Sequence, residues 1–326
     1  MLSILGNRHD NQVLYYDPGC GTLNVGDEII SDSARRYLDP YFKDKFVVRL
    51  STHQRTSFLY RRYLRGSFAG FILGSNLLKS GMLFGFRQWD VSILDSLQVN
   101  NLVLVGCGWQ NYGRSVGPYS KILFRRLLSN NILHSVRDEY TKSMLESIGI
   151  KNVINTGCAT LWQLTPEFCS SIPSYPASRV ITTLTDYRRE PEKDRSMIEQ
   201  LLATHEEVYI WLQGNGDLNY INALSLDGRC SLIPPTLAAY DAILDKVEDI
   251  EYVGTRLHGG IRALQHGRRT LIVSIDNRAR EMAHDYGLPI LEREDIALLT
   301  DAVNSERETK IRINGEGIKT FLEQFR

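Results

Sequence analysis

An arginine, a histidine and two glycines stand together at Arg256-Leu257-His258-Gly259-Gly260, just after the apolar run Ile250–Val253. A strand followed by a glycine, a cation, an imidazole and a helix start is a compact anion site. The Arg256 guanidinium offers a planar pair of donors that suits phosphate or carboxylate. The amides at the helix start, from Leu257 to Gly259, add partial positive charge. An unperturbed imidazole titrates near working pH, which makes His258 a candidate general acid. The plainer alternative is a capping or packing histidine. The two glycines favour the chemical reading, because in a helix they cost stability unless something has to come close.

Three other places offer polar groups at strand ends. Thr185-Asp186-Tyr187-Arg188-Arg189 follows the run Arg179–Leu184. Arg188 would face a ligand there, or belong to a solvated loop. Asp276-Asn277-Arg278 follows Thr270–Ile275 and reads equally as a ligand contact, through Arg278, or as a helix cap. Asn24-Val25-Gly26-Asp27-Glu28 follows a turn with Gly19 and Gly21 and opens a helix. Physical chemistry favours a capped helix there. The sharper reading has Asn24 and Asp27 hydrogen-bonding the hydroxyls of an acceptor.

These groups need a scaffold, and short apolar runs supply it. Gln12–Tyr16, Phe46–Leu50, Phe68–Leu73, Leu102–Val105 and Ile132–Val136 predict strands in the first half. In the second half Arg179–Leu184, Val208–Leu212, Cys230–Ile233, Ile250–Val253, Thr270–Ile275 and Leu288–Leu291 do the same. Such runs are typical of parallel sheets covered on both faces, and helical stretches alternate with them, so the class is α/β. Ligands of such sheets bind beyond the carboxyl ends of the strands. Those ends carry Gly74-Ser75-Asn76, Gly106-Cys107-Gly108 and Ser135-Val136-Arg137-Asp138 in the first half. The stretch Pro166–Pro176, with three prolines and several serines, predicts a linker. Residues 1–168 would then form an N-terminal domain on the acceptor side. Residues 176–326 would form a C-terminal domain on the donor side, its last helix crossing back to the first.

Composition narrows the function. The 326 residues hold 38 Lys+Arg and 38 Asp+Glu, so the net charge is zero, which argues against a nucleic-acid binder with a broad cationic surface. No apolar run approaches the roughly 18–20 residues of a membrane helix. The apolar start Met1–Leu5 turns polar at Asn7-Arg8-His9-Asp10, too soon for a secretory signal. Cys20, Cys107, Cys158, Cys169 and Cys230 are scattered, which predicts a reducing cytoplasm and neither a disulfide framework nor a zinc site. The histidines form no ligand-like cluster, and Gly106-Cys107-Gly108 lacks the rest of a dinucleotide fingerprint, so neither metal nor cofactor is expected.

In order along the chain, Asn24-Val25-Gly26-Asp27-Glu28, Gly74-Ser75-Asn76, Ser135-Val136-Arg137-Asp138, Arg256-Leu257-His258-Gly259 and Asp276-Asn277-Arg278 resemble the polysaccharide pyruvyl transferase family. The resemblance runs from about Gly21 to Leu291. It departs at Gly157-Cys158-Ala159, where the family often has Gly-Asp-Pro, and at Arg278, where lysine is common. It implies two Rossmann-like domains of the GT-B type facing a cleft. It also implies transfer of pyruvate from phosphoenolpyruvate onto sugar hydroxyls as a ketal, without a required metal. On that pattern His258 and Asp27 are catalytic. Arg256, Leu257, Gly259, Arg188 and Arg278 bind the donor, and Asn24, Gly26, Asn76 and Arg137 bind the acceptor. A lipid-linked acceptor would bring the protein to the inner membrane face, where the arginines between Arg49 and Arg65 would meet anionic headgroups. A GT-B-like glycosyltransferase using a nucleotide sugar and a non-catalytic sugar-binding relative are the alternatives.

Overall fold

The computed structural model describes residues 11–57, 67, 69–110, 113, 115–226 and 228–326, except the side chain of Asn277. The helix expected at Ser57–Arg65, with Arg61, Arg62 and Arg65, and the polar start Asn7–Asp10 lie outside the described residues, Ser57 apart. The chain divides into two compact units. The first comprises residues up to Thr22, Ile30–Trp162 and Asn314–Arg326; the second comprises Leu23–Ile29 and Gln163–Ile313. Among the described residues no helix is long and apolar enough to cross a membrane.

In the first unit β1 (Gln12–Asp17), β2 (Phe46–Ser51), β3 (Ala69–Leu73) and β4 (Leu102–Val105) form a parallel sheet in the order β2-β1-β3-β4. Strands β1, β3 and β4 are almost wholly buried, which is why their sequences are apolar on both faces. Strands β5 (His134–Val136) and β6 (Val153–Asn155) pair in parallel, and a bridge from Cys107 to Val136 joins them to the end of β4. Helices α1 (Val25–Leu38), α2 (Pro118–Leu127) and α3 (Glu139–Ser147) follow strands β1, β4 and β5. The first turn of α1 counts with the second unit. The C-terminal helix Gly315–Glu323 belongs to the first unit, where Phe321 packs edge-on to Trp162 and Phe325 edge-on to Phe71.

The joint between β4 and β5 rests on a side chain. His134 is fully buried; its Nδ1 accepts the Leu104 amide (3.2 Å), so its Nε2–H donates to the Ser129 carbonyl (2.8 Å). Burial pulls its pKa from 6.5 down to about 4, against the opposing effect of the Ser129 bond. The folded state therefore binds its proton only at lower pH than the unfolded chain does. Stability should be level above pH 6.5 and fall below it, by up to about 1.4 kcal/mol per pH unit from this group. Melting temperatures of wild type and His134→Asn between pH 7 and pH 4.5 test this; parallel profiles would remove His134 as the cause.

The second unit holds β7 (Arg179–Thr182), β8 (Glu207–Trp211), β9 (Ser231–Ile233), β10 (Ile250–Gly254), β11 (Thr270–Ser274) and β12 (Ile290–Glu292). All pairs are parallel, in the order β12-β11-β10-β7-β8-β9. Counted within the unit this is 6-5-4-1-2-3, the Rossmann order, and it reverses between β7 and β10. Its helices are α4 (Pro166–Ser170), α5 (Pro191–Thr204), α6 (Asp217–Ala223), α7 (Leu237–Lys246), α8 (Leu257–Gln265), α9 (Asn277–Tyr286) and α10 (Leu299–Asn304).

Several expectations need correction. Pro166–Pro176 is not an open linker: Thr165 caps α4 through the Phe168 amide (3.2 Å), and the segment lies inside the stretch Gln163–Ile313 of the second unit. Proline at a helix start costs nothing in hydrogen bonds, so its presence did not mean a break. Leu23–Ile29, expected in the N-terminal domain, groups with the second unit. Strand β6 and helix α2 were not anticipated. β6 is only three residues long, and solvent-facing Ile122 among Lys121, Arg125 and Arg126 blurs the apolar stripe of α2.

Candidate active site at the strand-order switch

Strand order reverses between β7 and β10, so their ends, Thr183–Asp186 and Thr255–His258, lie side by side at the place where sheets of this type bind ligands. Backbone and hydroxyl bonds tie the two ends together. Thr255 N–H donates to the Thr183 carbonyl (3.0 Å), Arg256 N–H to Thr183 Oγ1 (3.1 Å), and the hydroxyls of Thr185 and Thr255 bond each other (2.8 Å). Tyr252 Oη donates to the Arg256 carbonyl (2.8 Å). Arg256 is thereby held in extended backbone as the residue that opens α8.

The Arg256 guanidinium is 4% exposed and already engaged. Its Nε donates to the Leu184 carbonyl (3.0 Å), and its Nη2 donates to Asp186 Oδ1 (2.9 Å) and to Asp217 Oδ1. Asp217 is fully buried and also accepts the amides of Gln213 (3.0 Å) and Gly214 (2.7 Å). Burial pushes its carboxyl pKa up; Arg256 and the Gly214 amide pull the other way. Asp186 is half-buried. Two glycines make this triad possible. A Cβ on Gly214 would lie 2.3 Å from Arg256 Nη2, and one on Gly216 would lie 2.3 Å from Asp186 Oδ2. The sequence reading missed this element. Its signal is Gln213-Gly214-Asn215-Gly216-Asp217, two glycines and an acid directly after β8.

His258 lies half-buried in the first turn of α8, whose start carries no side-chain cap. Its amides therefore present the partial positive charge of a helix start. The close approach that requires the glycines comes from the fold itself. A Cβ on Gly259 would lie 3.0 Å from Gln213 Oε1, and one on Gly260 would lie 2.6 Å from Ile272 Cγ1. Leu257 is half-buried against the Tyr240–Tyr252 core cluster, so its side chain packs into the core and its amide lies at the start of α8.

Tyr187 links Arg256 to Arg278. Its ring centroid is 5.1 Å from the Arg256 guanidinium carbon, a cation–π distance, and its hydroxyl accepts Arg278 Nη2 (3.3 Å). Arg278 also donates to Asp276 through Nε (3.2 Å) and Nη2 (2.9 Å), while Asp276 caps α9. Arg188 is exposed and makes no ion pair among the described residues. Its carbonyl accepts both Nη1 and Nη2 of Arg293 (2.8 Å each).

Asn24, Gly26 and Asp27 join this unit through the end of β8. Asn24 bridges Gly214, Val25 N–H donates to the Gln213 carbonyl (2.9 Å), and Asn215 N–H donates to the Leu23 carbonyl (3.0 Å). Asn24 Oδ1 accepts the Gly26 amide (3.1 Å) and Gln213 Nε2 (3.0 Å). Their expected seat in the N-terminal domain is thus corrected, because these long-range backbone bonds outweigh chain proximity to β1. Asp27 is half-buried in the first turn of α1, where an acid is favoured.

Asn76 and Arg137 lie in the first unit and come together there. The position of a Cβ on Gly108 is 2.7 Å from Asn76 Oδ1 and 2.9 Å from Arg137 Nη2. Arg137 pairs with Asp138 (3.4 Å), and Asp138 caps α3 through the Thr141 amide (2.7 Å). Cys158, at the departure from the family pattern, is buried, and its Sγ accepts the Thr160 hydroxyl (3.1 Å).

A family model described as polysaccharide pyruvyl transferase matches residues 24–277, most of the chain. The match includes Asn24, Arg137 and the whole switch-point site apart from Arg278. No curated protein matches the chain.

Proposed function

The chain belongs to the polysaccharide pyruvyl transferase family, and on that premise we propose that it moves pyruvate from phosphoenolpyruvate onto two hydroxyls of a sugar, forming a ketal. The observation that carries this reading is the position of Arg256-Leu257-His258-Gly259 at the strand-order switch of a Rossmann-type sheet. The donor anion binds at the uncapped start of α8, on the amides of Leu257 to Gly259, with Arg278, linked to Arg256 through Tyr187, and Arg188 as further donor ligands. Arg256 reaches it by exchanging a carboxylate. Asp186 is partly exposed and can give way to the donor carboxylate, whereas buried Asp217 stays.

His258 then donates a proton to the methylene carbon of the enol, which becomes a methyl group, and the neighbouring carbon becomes electrophilic. A sugar hydroxyl adds to that carbon and loses its proton. Phosphate leaves with the C–O bond electrons, and a second hydroxyl adds, losing its proton, to close the ketal. Asp27 takes a hydroxyl proton, with Asn24 and Gly26 shaping its surroundings. Fixed donors aimed at developing charge supply most of such catalysis. We propose the cytoplasm as the reaction's compartment, a reading that the scattered, odd-numbered cysteines of the sequence support.

The experiment is ligand-dependent melting together with transfer. Phosphoenolpyruvate at about 100 times its Kd should stabilise by about 2.7 kcal/mol, raising the melting temperature, while uridine or guanosine diphosphate sugars should not. Phosphate release should require a sugar acceptor. Stabilisation by a nucleotide sugar alone would instead favour a glycosyltransferase.

A further inference from the structure

Six large apolar side chains of the first unit face solvent from three segments: Leu83, Phe84 and Phe86, then Leu94 and Leu97, then Ile122 on α2. Phe84 and Phe86 are 79% and 73% exposed. The segments are stitched into one surface. Gly117 N–H donates to the Ser80 carbonyl (2.9 Å), Met82 N–H to Ser120 Oγ (2.8 Å), and Ile93 N–H to Tyr119 Oη (3.1 Å).

The aromatic tip is built for an apolar medium. Lys79 Nζ donates to the carbonyls of Phe84 (3.3 Å) and Phe86 (2.9 Å), and Arg87 Nη1 donates to those of Met82 (2.8 Å) and Val91 (3.2 Å). Carbonyls already bonded within the chain do not forfeit water bonds on leaving water. Beside the tip, the outer face of α2 carries Lys121, Arg125 and Arg126, none in an ion pair among the described residues; Arg125 Nε donates to the Ile148 carbonyl (2.6 Å), which leaves its charge unneutralised. The neighbouring acids are committed: Asp90 to Arg87 (2.7 Å), and buried Asp95 to the amide (2.7 Å) and hydroxyl (3.0 Å) of Ser92.

We propose that this patch is a docking surface for an anionic lipid bilayer, with Phe84 and Phe86 entering the interface and Lys121, Arg125 and Arg126 meeting the headgroups. Apolar insertion combined with unneutralised cations is how peripheral proteins hold such membranes. A second copy of the chain fits less well, because a two-fold contact would set these cations against each other. Of the arginines expected to meet headgroups, Arg49 is neutralised by buried Asp17 (2.6 Å), while Arg55 donates to Ser92 Oγ (3.4 Å). The proposal does not depend on the transferase reading.

Co-sedimentation of the full chain with phosphatidylcholine vesicles, with and without one third phosphatidylglycerol, tests it. Wild type should pellet with the anionic vesicles at low salt and much less with the neutral ones. Phe84→Ser/Phe86→Ser should lower partitioning by at least about tenfold. Lys121→Glu/Arg126→Glu should lower it by roughly fivefold or more per charge, and raised salt should mimic that loss. All these side chains are at least half-exposed or peripheral to the core, and circular dichroism checks that the variants fold. The proposal is overturned if wild type stays in the supernatant, or if both double variants pellet like wild type. It is also overturned if light scattering finds a wild-type dimer that Phe84→Ser/Phe86→Ser splits, since the patch would then be a contact between copies.

Discussion

His258→Gln should transfer pyruvate about 10²–10⁴-fold more slowly than wild type, the usual contribution of a general acid. Donor affinity should fall much less, because the helix amides and the arginines around the site remain. The helix start disfavours a charged imidazole, whereas a bound phosphate and carboxylate favour one. His258 should therefore gain its proton as the donor binds, and calorimetry in buffers of different ionisation enthalpy should report that uptake in wild type and not in His258→Gln. Solvent deuterium entering the new methyl group measures the proton transfer directly. A variant that transfers pyruvate at the wild-type rate would make His258 structural and pass the proton donor's role to another group, Asp27 or Asp276 first.

Arg256→Met should destabilise the protein by about 3–5 kcal/mol, because it removes the cation shared by two carboxylates, one of them fully buried. Arg256→Lys should lose less and still more than a surface exchange, since a point charge cannot hold the Leu184 carbonyl and the acids together. Adding Asp217→Asn to Arg256→Met should recover part of the loss, as the uncompensated charge is then gone. Denaturant midpoints of wild type and the three variants decide this. A wild-type midpoint for Arg256→Met would mean that the triad carries no stability. Phosphoenolpyruvate binding to Arg256→Lys, measured where it is folded, should also weaken, because the donor carboxylate exchanges onto the guanidinium fork.

The sequence by itself determined the fold class, most strands, and the place of Arg256-Leu257-His258-Gly259 at a strand end opening a helix. Those features are local. A strand buried on both faces is mostly apolar, and β10 and β11 are buried throughout, with Glu251 of β10 the charged exception that pairs with Arg269. Glycine, cation and imidazole after such a run are visible without knowing what lies beside them. The tertiary structure alone decided which distant residues they meet. Arg256 finds its carboxylates at 70 and 39 residues' separation, and Asn24 finds Gln213 at 189. The same holds for His134, which accepts the Leu104 amide across the joint of β4 and β5. Periodicity records that a residue is buried; it carries no address for its partner. That address is set when strand order brings the ends of β7 and β10 side by side, and there Arg256, expected to wait for a ligand, is already bound to Asp186 and Asp217.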